Sequence, residues 1–409
     1  GSNLVIDTSQ AIQIPVGTTN ERPDAVTGQI RFNITDNRYE GYNGNEWVPL
    51  GDTDNNLIVA TGAGINSLIW SDDHGETWNP VTDSTSLFSQ ANSVSWNGRR
   101  WVAVGTGTSH IAYSDDGLKW FDSSNSASFF NAEGNVIGSN NYLWVAGGSF
   151  QANNIIYSSD GIYWHYANNS PFNLICNDVK YGGNLWVAGG GYSSTTLGYS
   201  YNGKDWFAAA GSEIFATQAN ALAWNGELWV AVGGGSATPF TIAYSYDGKS
   251  WNGVTGSTSL IEEGYGVAWN GSLFVIVGSS SGSAANTILT SEDGINWTGR
   301  GTTVFGTGVT IGRGRGITWT GSNWIAVGFN AGSPSNTIAT SLDGITWVGK
   351  GSTHFSTRGT GVAVNNLFDY NRYQLETIDI SYRNVDISLN LLVEGRVDIS
   401  GDVSLNNNV

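Results

Sequence analysis

The chain of 409 residues has one cysteine, no methionine, seven prolines and five lysines, and only 12% of its residues are charged. A lone thiol, Cys176, excludes an internal disulfide, and no histidine stands beside it in sequence, so it reads as a small apolar side chain rather than a nucleophile. Five lysines within a net charge of −17 argue against electrostatic capture of nucleic acid or of an anionic membrane surface. No apolar run is long enough to span a bilayer and no signal peptide is evident, so no membrane insertion is expected. His74, His110, His165 and His354 are scattered without paired spacing, which argues against a metal site. Gly312 to Gly316 lacks the Lys-Ser/Thr and the helix of a phosphate loop, and no cofactor is expected. Gly1-Ser2 ahead of a chain without methionine is expected for a fragment of something longer, and cysteine usage leaves the compartment open.

Glycine (56) and tryptophan (18) are abundant instead, enough small and aromatic side chains for a large core. They recur with a period. At spacings of 42 to 50 residues, Ser71, Ser114, Ser158, Ser200, Ser245, Ser291 and Ser341 each open an acidic Gly-containing turn that closes on Trp78, Trp120, Trp164, Trp206, Trp251, Trp297 and Trp347. Ahead of each turn runs a segment such as Ile111-Ala112-Tyr113-Ser114, whose period of two predicts a strand with one face toward a core. Further upstream, Val94-Ser95-Trp96 and Trp101-Val102-Ala103-Val104-Gly105 flank Asn97-Gly98, a hairpin signal repeated at Asn225-Gly226 and Asn270-Gly271, with Gly182-Gly183 and Thr320-Gly321 as variants. Four antiparallel strands per repeat make one β-propeller blade.

The repeat is cut unevenly at its ends. Leu57 to Gly62 matches a second strand with no first strand before it, and Gly361 to Asn365 matches a first strand with no second strand after it. Pairing the two completes a blade and removes both open edges. The expected fold class is all-β: a seven-bladed β-propeller of four-stranded antiparallel blades with strand-exchange closure, flanked by a small N-terminal β module and a C-terminal fibrous β segment. The boundaries fall at 1–54, 55–366 and 367–409.

The string Ser71-x-Asp73-x-Gly75-x-Thr77-Trp78 resembles the Asp-box, or BNR-repeat, motif of sialidases and many non-enzymatic proteins. The other six turns are one residue shorter, with Asp116, Asp160, Asn202, Asp247, Asp293 and Asp343 at the acidic position. In that family these boxes lie away from the active face, so the resemblance implies a structural role. The local reading agrees: an Asp accepts backbone N–H bonds within its own turn while the Trp packs between blades.

The flanks differ. Ile14-Pro15-Val16-Gly17-Thr18-Thr19, Arg22-Pro23, Gly28 to Asn33, Tyr39 to Gly44 and Trp47 resemble a segment of phage tail-fibre and related virion structural proteins. Ile30 to Asn33 and Arg38 to Tyr42 read as two short strands across a Thr-Asp-Asn turn, too small to be stable without a partner. From Leu367 a unit repeats at Ile378 to Ser381, Val385 to Ser388 and Val397 to Ser400, followed by Asp402 to Leu405. Its single apolar stripe suits the start of a shaft in which three chains wrap together; a flexible tail is the alternative.

Long connections at Thr82 to Ala91, Asp122 to Glu133 and Gly301 to Gly314 share one face of such a propeller, the expected place for binding. Aligning the first strands brings Asn92, Asn135, Asn177, Asn220, Tyr265, Arg315 and Thr360 to the tunnel mouth, one from each blade. Their donors and acceptors suit sugar hydroxyls; the alternative is that they bind tunnel water and cap strand ends. The next position is small or aliphatic except at Asp178, which period two pairs with Lys180.

Sialidase activity in the Asp-box family rests on three arginines from separate blades, a Tyr paired with an acid, and an Asp. Here the candidate arginines are Arg99, Arg100, Arg300, Arg313, Arg315 and Arg358, of which two or three at most reach the mouth, with Arg313 and Arg315 in one loop. Glu133, Asp178, Glu262 and Glu263 are the acids near it. No catalytic residue and no enzyme activity are therefore expected. The sequence points to a virion-surface fibre or spike whose head adheres to a host glycan or receptor and which trimerises through its C-terminal segment. An Asp-box glycoside hydrolase and a non-binding decoration of the particle are the alternatives.

Overall fold

The computed structural model describes residues 16–21, 30–33, 38–42, 47–49, 57–123, 126–130, 132–149, 154–192, 194–234, 239–280, 286–302, 304–305, 312–330 and 336–365. The repeats expected for a shaft, from Leu367 onward, lie outside the described residues. The chain divides into two units, Gly1–Asn55 with Thr377–Val409, and Asn56–Glu376.

In the smaller unit, strands Val16–Gly17, Ile30–Asn33, Arg38–Tyr42 and Trp47–Pro49 pair in that order, the first contact parallel and the others antiparallel. Arg31, 3% exposed, ties the sheet together: its Nη2 donates to Thr18 O at 2.9 Å and its guanidinium lies 5.9 Å from the Trp47 ring centre.

The larger unit is all-β apart from one-turn helices. Phe88–Trp96, Trp101–Gly107, Ile111–Ser114 and Phe121–Asp122 pair antiparallel in succession. The same pattern starts again at Gly134–Ser139, Ile175–Gly182, Gln218–Trp224, Glu263–Trp269 and Gly312–Trp319. One more group joins the two ends of the repeat: Arg358–Val364 pairs antiparallel with Ile58–Ala63, which continues through Leu68–Ser71 to Asn79–Pro80. Each innermost strand lies beside that of the next group, and Arg358–Val364 lies beside both Gly312–Trp319 and Phe88–Trp96. Radial antiparallel sheets around a closed set of inner strands form a β-propeller.

The hairpins form as their sequences dictate. Asn97 Oδ1 accepts the Arg99 and Arg100 N–H groups at 3.1 and 2.8 Å while Gly98 supplies a φ of 89°. In the turn after Ile111–Ser114, Ser114 Oγ donates to Asp116 Oδ1 at 3.0 Å, which accepts the Leu118 and Lys119 N–H groups, both at 2.8 Å. Trp120 Nε1 donates to Gly117 O at 2.9 Å, and its ring packs with Val59 and Leu68 of the preceding sheet. Asn202 accepts the Lys204 and Asp205 N–H groups in the same way, so the turn needs an acceptor rather than a charge. Trp164 departs from the pattern by donating to Ser123 Oγ at 3.0 Å.

Two expectations need correction. The strands ahead of these turns are buried on both faces: Ile111 joins Phe130 and Ile137 of the following sheet, whereas Ala112 joins Val59 and Leu68 of the preceding one. Each sheet is sandwiched, which is why its middle strand, Trp101–Gly107, opens with five fully buried residues instead of alternating. The supposed long connections also contain structure. One-turn helices Ser84–Leu87 and Ser126–Phe129 occupy two of them, and inner strands begin as early as Phe88 and Gly312. Arg313 and Arg315 therefore lie on a strand, not in a loop.

Cys176 is buried against Val136 and Val179, and burial pushes its thiol up, assisted by the Asp178 charge.

Candidate functional site

Every innermost strand contains a β-bulge at the same place, and its extra residue is the one the alignment placed at the tunnel mouth; Phe88–Trp96 has a second register shift between Phe88 and Gln90. The register slips between Ala91 and Ser93, Gly134 and Val136, Cys176 and Asp178, Ala219 and Ala221, Gly264 and Gly266, Gly314 and Gly316, and Gly359 and Gly361. Asn92, Asn135, Asn177, Asn220, Tyr265, Arg315 and Thr360 are the residues left over. A bulge redirects its extra side chain and leaves the adjoining carbonyl without its ladder partner.

Five of these side chains donate to that carbonyl on the neighbouring strand. Asn92 Nδ2 reaches Gly134 O at 2.9 Å, Asn135 Nδ2 Cys176 O at 3.2 Å, Asn177 Nδ2 Ala219 O at 3.1 Å and Asn220 Nδ2 Gly264 O at 2.9 Å. Thr360 Oγ1 reaches Ala91 O at 2.6 Å across the joined ends, where Thr61 Oγ1 stands 2.9 Å away. They form a ladder of inter-sheet staples. The small residues that follow are required by the same close approach: a Cβ on Gly316 would lie 2.9 Å from Gly361 Cα, and one on Gly361 would lie 2.9 Å from Asn92 O. Asp178, at the equivalent position, is 6% exposed; it accepts the Leu222 N–H at 2.8 Å and the Val179 N–H at 2.9 Å, and Lys180 Nζ lies 3.4 Å away.

At Tyr265 and Arg315 the ladder breaks. Among the described residues no side chain donates to Gly314 O or Gly359 O. Instead Tyr265 donates from its hydroxyl to Glu263 Oε2 at 2.7 Å and accepts from Arg313 Nη1 at 2.8 Å. The Arg313 and Arg315 guanidinium carbons lie 5.4 and 5.7 Å from the Tyr265 ring centre. Burial raises the phenol pKa, and the Glu263 charge and hydrogen bond raise it further against the opposing arginines, so the hydroxyl stays protonated at neutral pH. Burial lowers the pKa of Arg315, with the Arg358 and Arg313 charges adding to the effect and Tyr265 and Glu263 opposing it. The guanidinium nevertheless remains charged.

The residues two positions before each bulge complete the site, and the sequence reading passed over them as a set. They are Gln90, Glu133, Ile175, Gln218, Glu263, Arg313 and Arg358. Arg358 donates from Nε to Gln90 Oε1 at 3.1 Å, and Glu263 Oε1 accepts from Gln218 Nε2 at 3.1 Å and Asn220 Nδ2 at 3.0 Å. Recurrence at a fixed offset from the aligned ring was the signal that could have found them. Arg99 and Arg100 belong to a hairpin turn, where Arg100 pairs with Asp115 at 2.7 Å, and Arg300 Nε donates to Thr290 Oγ1 at 2.8 Å. Glu262 Oε2 accepts from Ser279 Oγ at 3.1 Å. No group of three or more metal-ligating side chains occurs among the described residues.

No protein-family model and no curated relative matches the sequence. A chain from the crystal structure of the nidogen/laminin complex aligns with 9% identity and a TM-score of 0.44, over 76% of this chain and 98% of that one.

Proposed function

We propose that this chain is part of a virion-surface fibre or spike: a small attachment module, a seven-bladed Asp-box propeller head and the beginning of a trimeric shaft. The head binds a host-surface glycan without covalent chemistry. The observation that carries this reading is the break in the staple ladder. Five ring positions direct donors to a neighbouring carbonyl, whereas Tyr265 and Arg315 offer a phenol ring and a guanidinium beside Arg313 and Arg358. Fixed guanidinium donors held at a phenol suit the hydroxyls and polar substituents of a sugar. Weak single sites gain strength when several heads share one fibre. A glycan-array screen beside a panel of fluorogenic glycosides tests it: binding without turnover is expected, and silence in both would favour a propeller that merely decorates the particle.

A sialidase-like hydrolase is the second reading, favoured by one observation: Arg313 and Arg315 both lie at a tyrosine hydrogen-bonded to Glu263, with the Arg358 charge acting on Arg315. Three features count against it. Arg313 and Arg315 share a strand rather than coming from separate blades. The Tyr265 hydroxyl is held protonated, and the Asp178 carboxylate is occupied by two backbone N–H groups and Lys180. Release of fluorophore from any glycoside in the panel, lost in Tyr265→Phe, would establish this reading instead.

A further inference from the structure

Arg315 is unlike the other arginines of this protein. Among the arginines whose side chains are described, every other one that is not exposed has a hydrogen-bond partner: Arg31 with Thr18, Arg100 with Asp115, Arg300 with Thr290, Arg313 with Tyr265 and Arg358 with Gln90. Arg315 has none, and its buried Nε, like that of Arg313, meets no acceptor. A guanidinium carries five N–H donors, and leaving one unmet away from water, as Nε is here, is costly.

Its surroundings make the position selective. The Arg315 guanidinium carbon lies 5.7 Å from the Tyr265 ring centre, a cation–π distance, and its N–H groups form the fork that matches an oxyanion. Arg313 lies at the same Tyr265 ring and Arg358 stands on the adjacent inner strand, and both act on Arg315 as like charges in a chain of net charge −17. The nearby carboxylate, Glu263, is turned to other donors: Tyr265 Oη, Gln218 Nε2 and Asn220 Nδ2. A bound oxyanion would satisfy the free donors and offset the repulsion in one step.

We propose that Arg315, with Tyr265 as its platform and Arg313 and Arg358 as flanking charges, is the seat for one oxyanion, the carboxylate or sulfate of an acidic saccharide. The biological role of this seat rests on the adhesion reading, but the seat itself can be tested with simple ions.

The experiment uses the whole chain labelled with ¹⁵N. The arginine Nε–Hε signals are followed while sodium sulfate or sodium acetate replaces sodium chloride at constant ionic strength, and the signal missing from Arg315→Gln identifies Arg315. A saturable shift of that signal is expected. Arg315→Gln should weaken the binding, read from the Arg313 and Arg358 signals, by about tenfold or more, the loss expected for a charge-assisted bond. Arg315→Lys, which keeps the charge, should retain part of it, and Asp343→Asn, in a distant turn, should leave it unchanged. Saturation with sulfate alone or with acetate alone assigns the group. No saturable shift with either ion, or binding unaffected in both Arg315 variants, overturns the seat. A silent glycan array with ion binding intact would overturn adhesion and leave the seat standing, whereas an array positive only for neutral glycans would do the reverse.

Discussion

Replacing Arg315 with asparagine should make the protein more stable. The equivalent residue two sheets earlier in the ladder, Asn220, donates to Gly264 O at 2.9 Å, and an asparagine at 315 would meet Gly359 O in the same way. One such bond adds about 0.5–1.5 kcal/mol net. Removing a half-buried guanidinium that burial and two neighbouring arginines already disfavour acts in the same direction, so the net gain is at least of the order of that one bond. Urea unfolding followed by tryptophan fluorescence reads the change as a higher midpoint at unchanged slope. The same variant should lose ligand binding, because a position kept for recognition is released from a stability cost when it is filled for structure. A midpoint lowered by the equivalent of about 1 kcal/mol or more would refute the staple ladder, since Arg315 would then be holding the ring together.

Three further outcomes follow from the same geometry. Gly316→Ala should destabilise by about 1–3 kcal/mol in the same unfolding assay, because its Cβ would stand 2.9 Å from Gly361 Cα and 3.1 Å from Thr360 O. Acid should weaken the fold through the turn aspartates. In Asp343 the Thr346 N–H, opposed by partial burial, and in Asp293 partial burial, outweighed by the hydrogen bonds from Asn296, Ile295 and Ser291 together, leave both carboxyls at about 2 instead of the ordinary 3.8. Their folded-state values lie below the unfolded ones, so their contribution is complete above about pH 4 and is lost as pH falls toward about 2. The double variant Asp293→Asn, Asp343→Asn should therefore flatten the stability profile over that interval, an unchanged slope counting against the assignment. Light scattering on chains with and without residues 367–409 tests the shaft: the longer chain should form trimers and the shorter one should not.

The repeat, the hairpins and the turns were legible because each is a local event. Asn-Gly, Ser-x-Asp-Gly and the closing Trp satisfy one another within a few residues, as the bonds from Asp116 to Leu118 and Lys119 illustrate. The joining of Ile58–Ala63 with Arg358–Val364 was legible too, since each lacked what the other supplied. The alignment that selected Asn92 and its counterparts found the bulges without identifying them, because the residue at a bulge breaks the period of two that reveals a strand. Their partners were invisible: the acceptor of Asn92 is a carbonyl 42 positions away, and every residue has a carbonyl. The two-sided burial of Ile111 and Ala112 was misread for a related reason, as an apolar run does not record how many neighbours cover it. Grouping Arg313 and Arg315 with a loop followed from their glycines, which serve close packing of inner strands rather than a turn.

The most direct test of the central claim is a glycan-array comparison of the unaltered chain with the double variant Tyr265→Ala, Arg315→Ala, both shown to be folded by their unfolding midpoints. If the break in the ladder is the binding site, the unaltered chain marks a set of acidic glycans and the double variant marks none of them. Equal binding by the two proteins would contradict the account, because the ligand would then be held by some other part of the molecule.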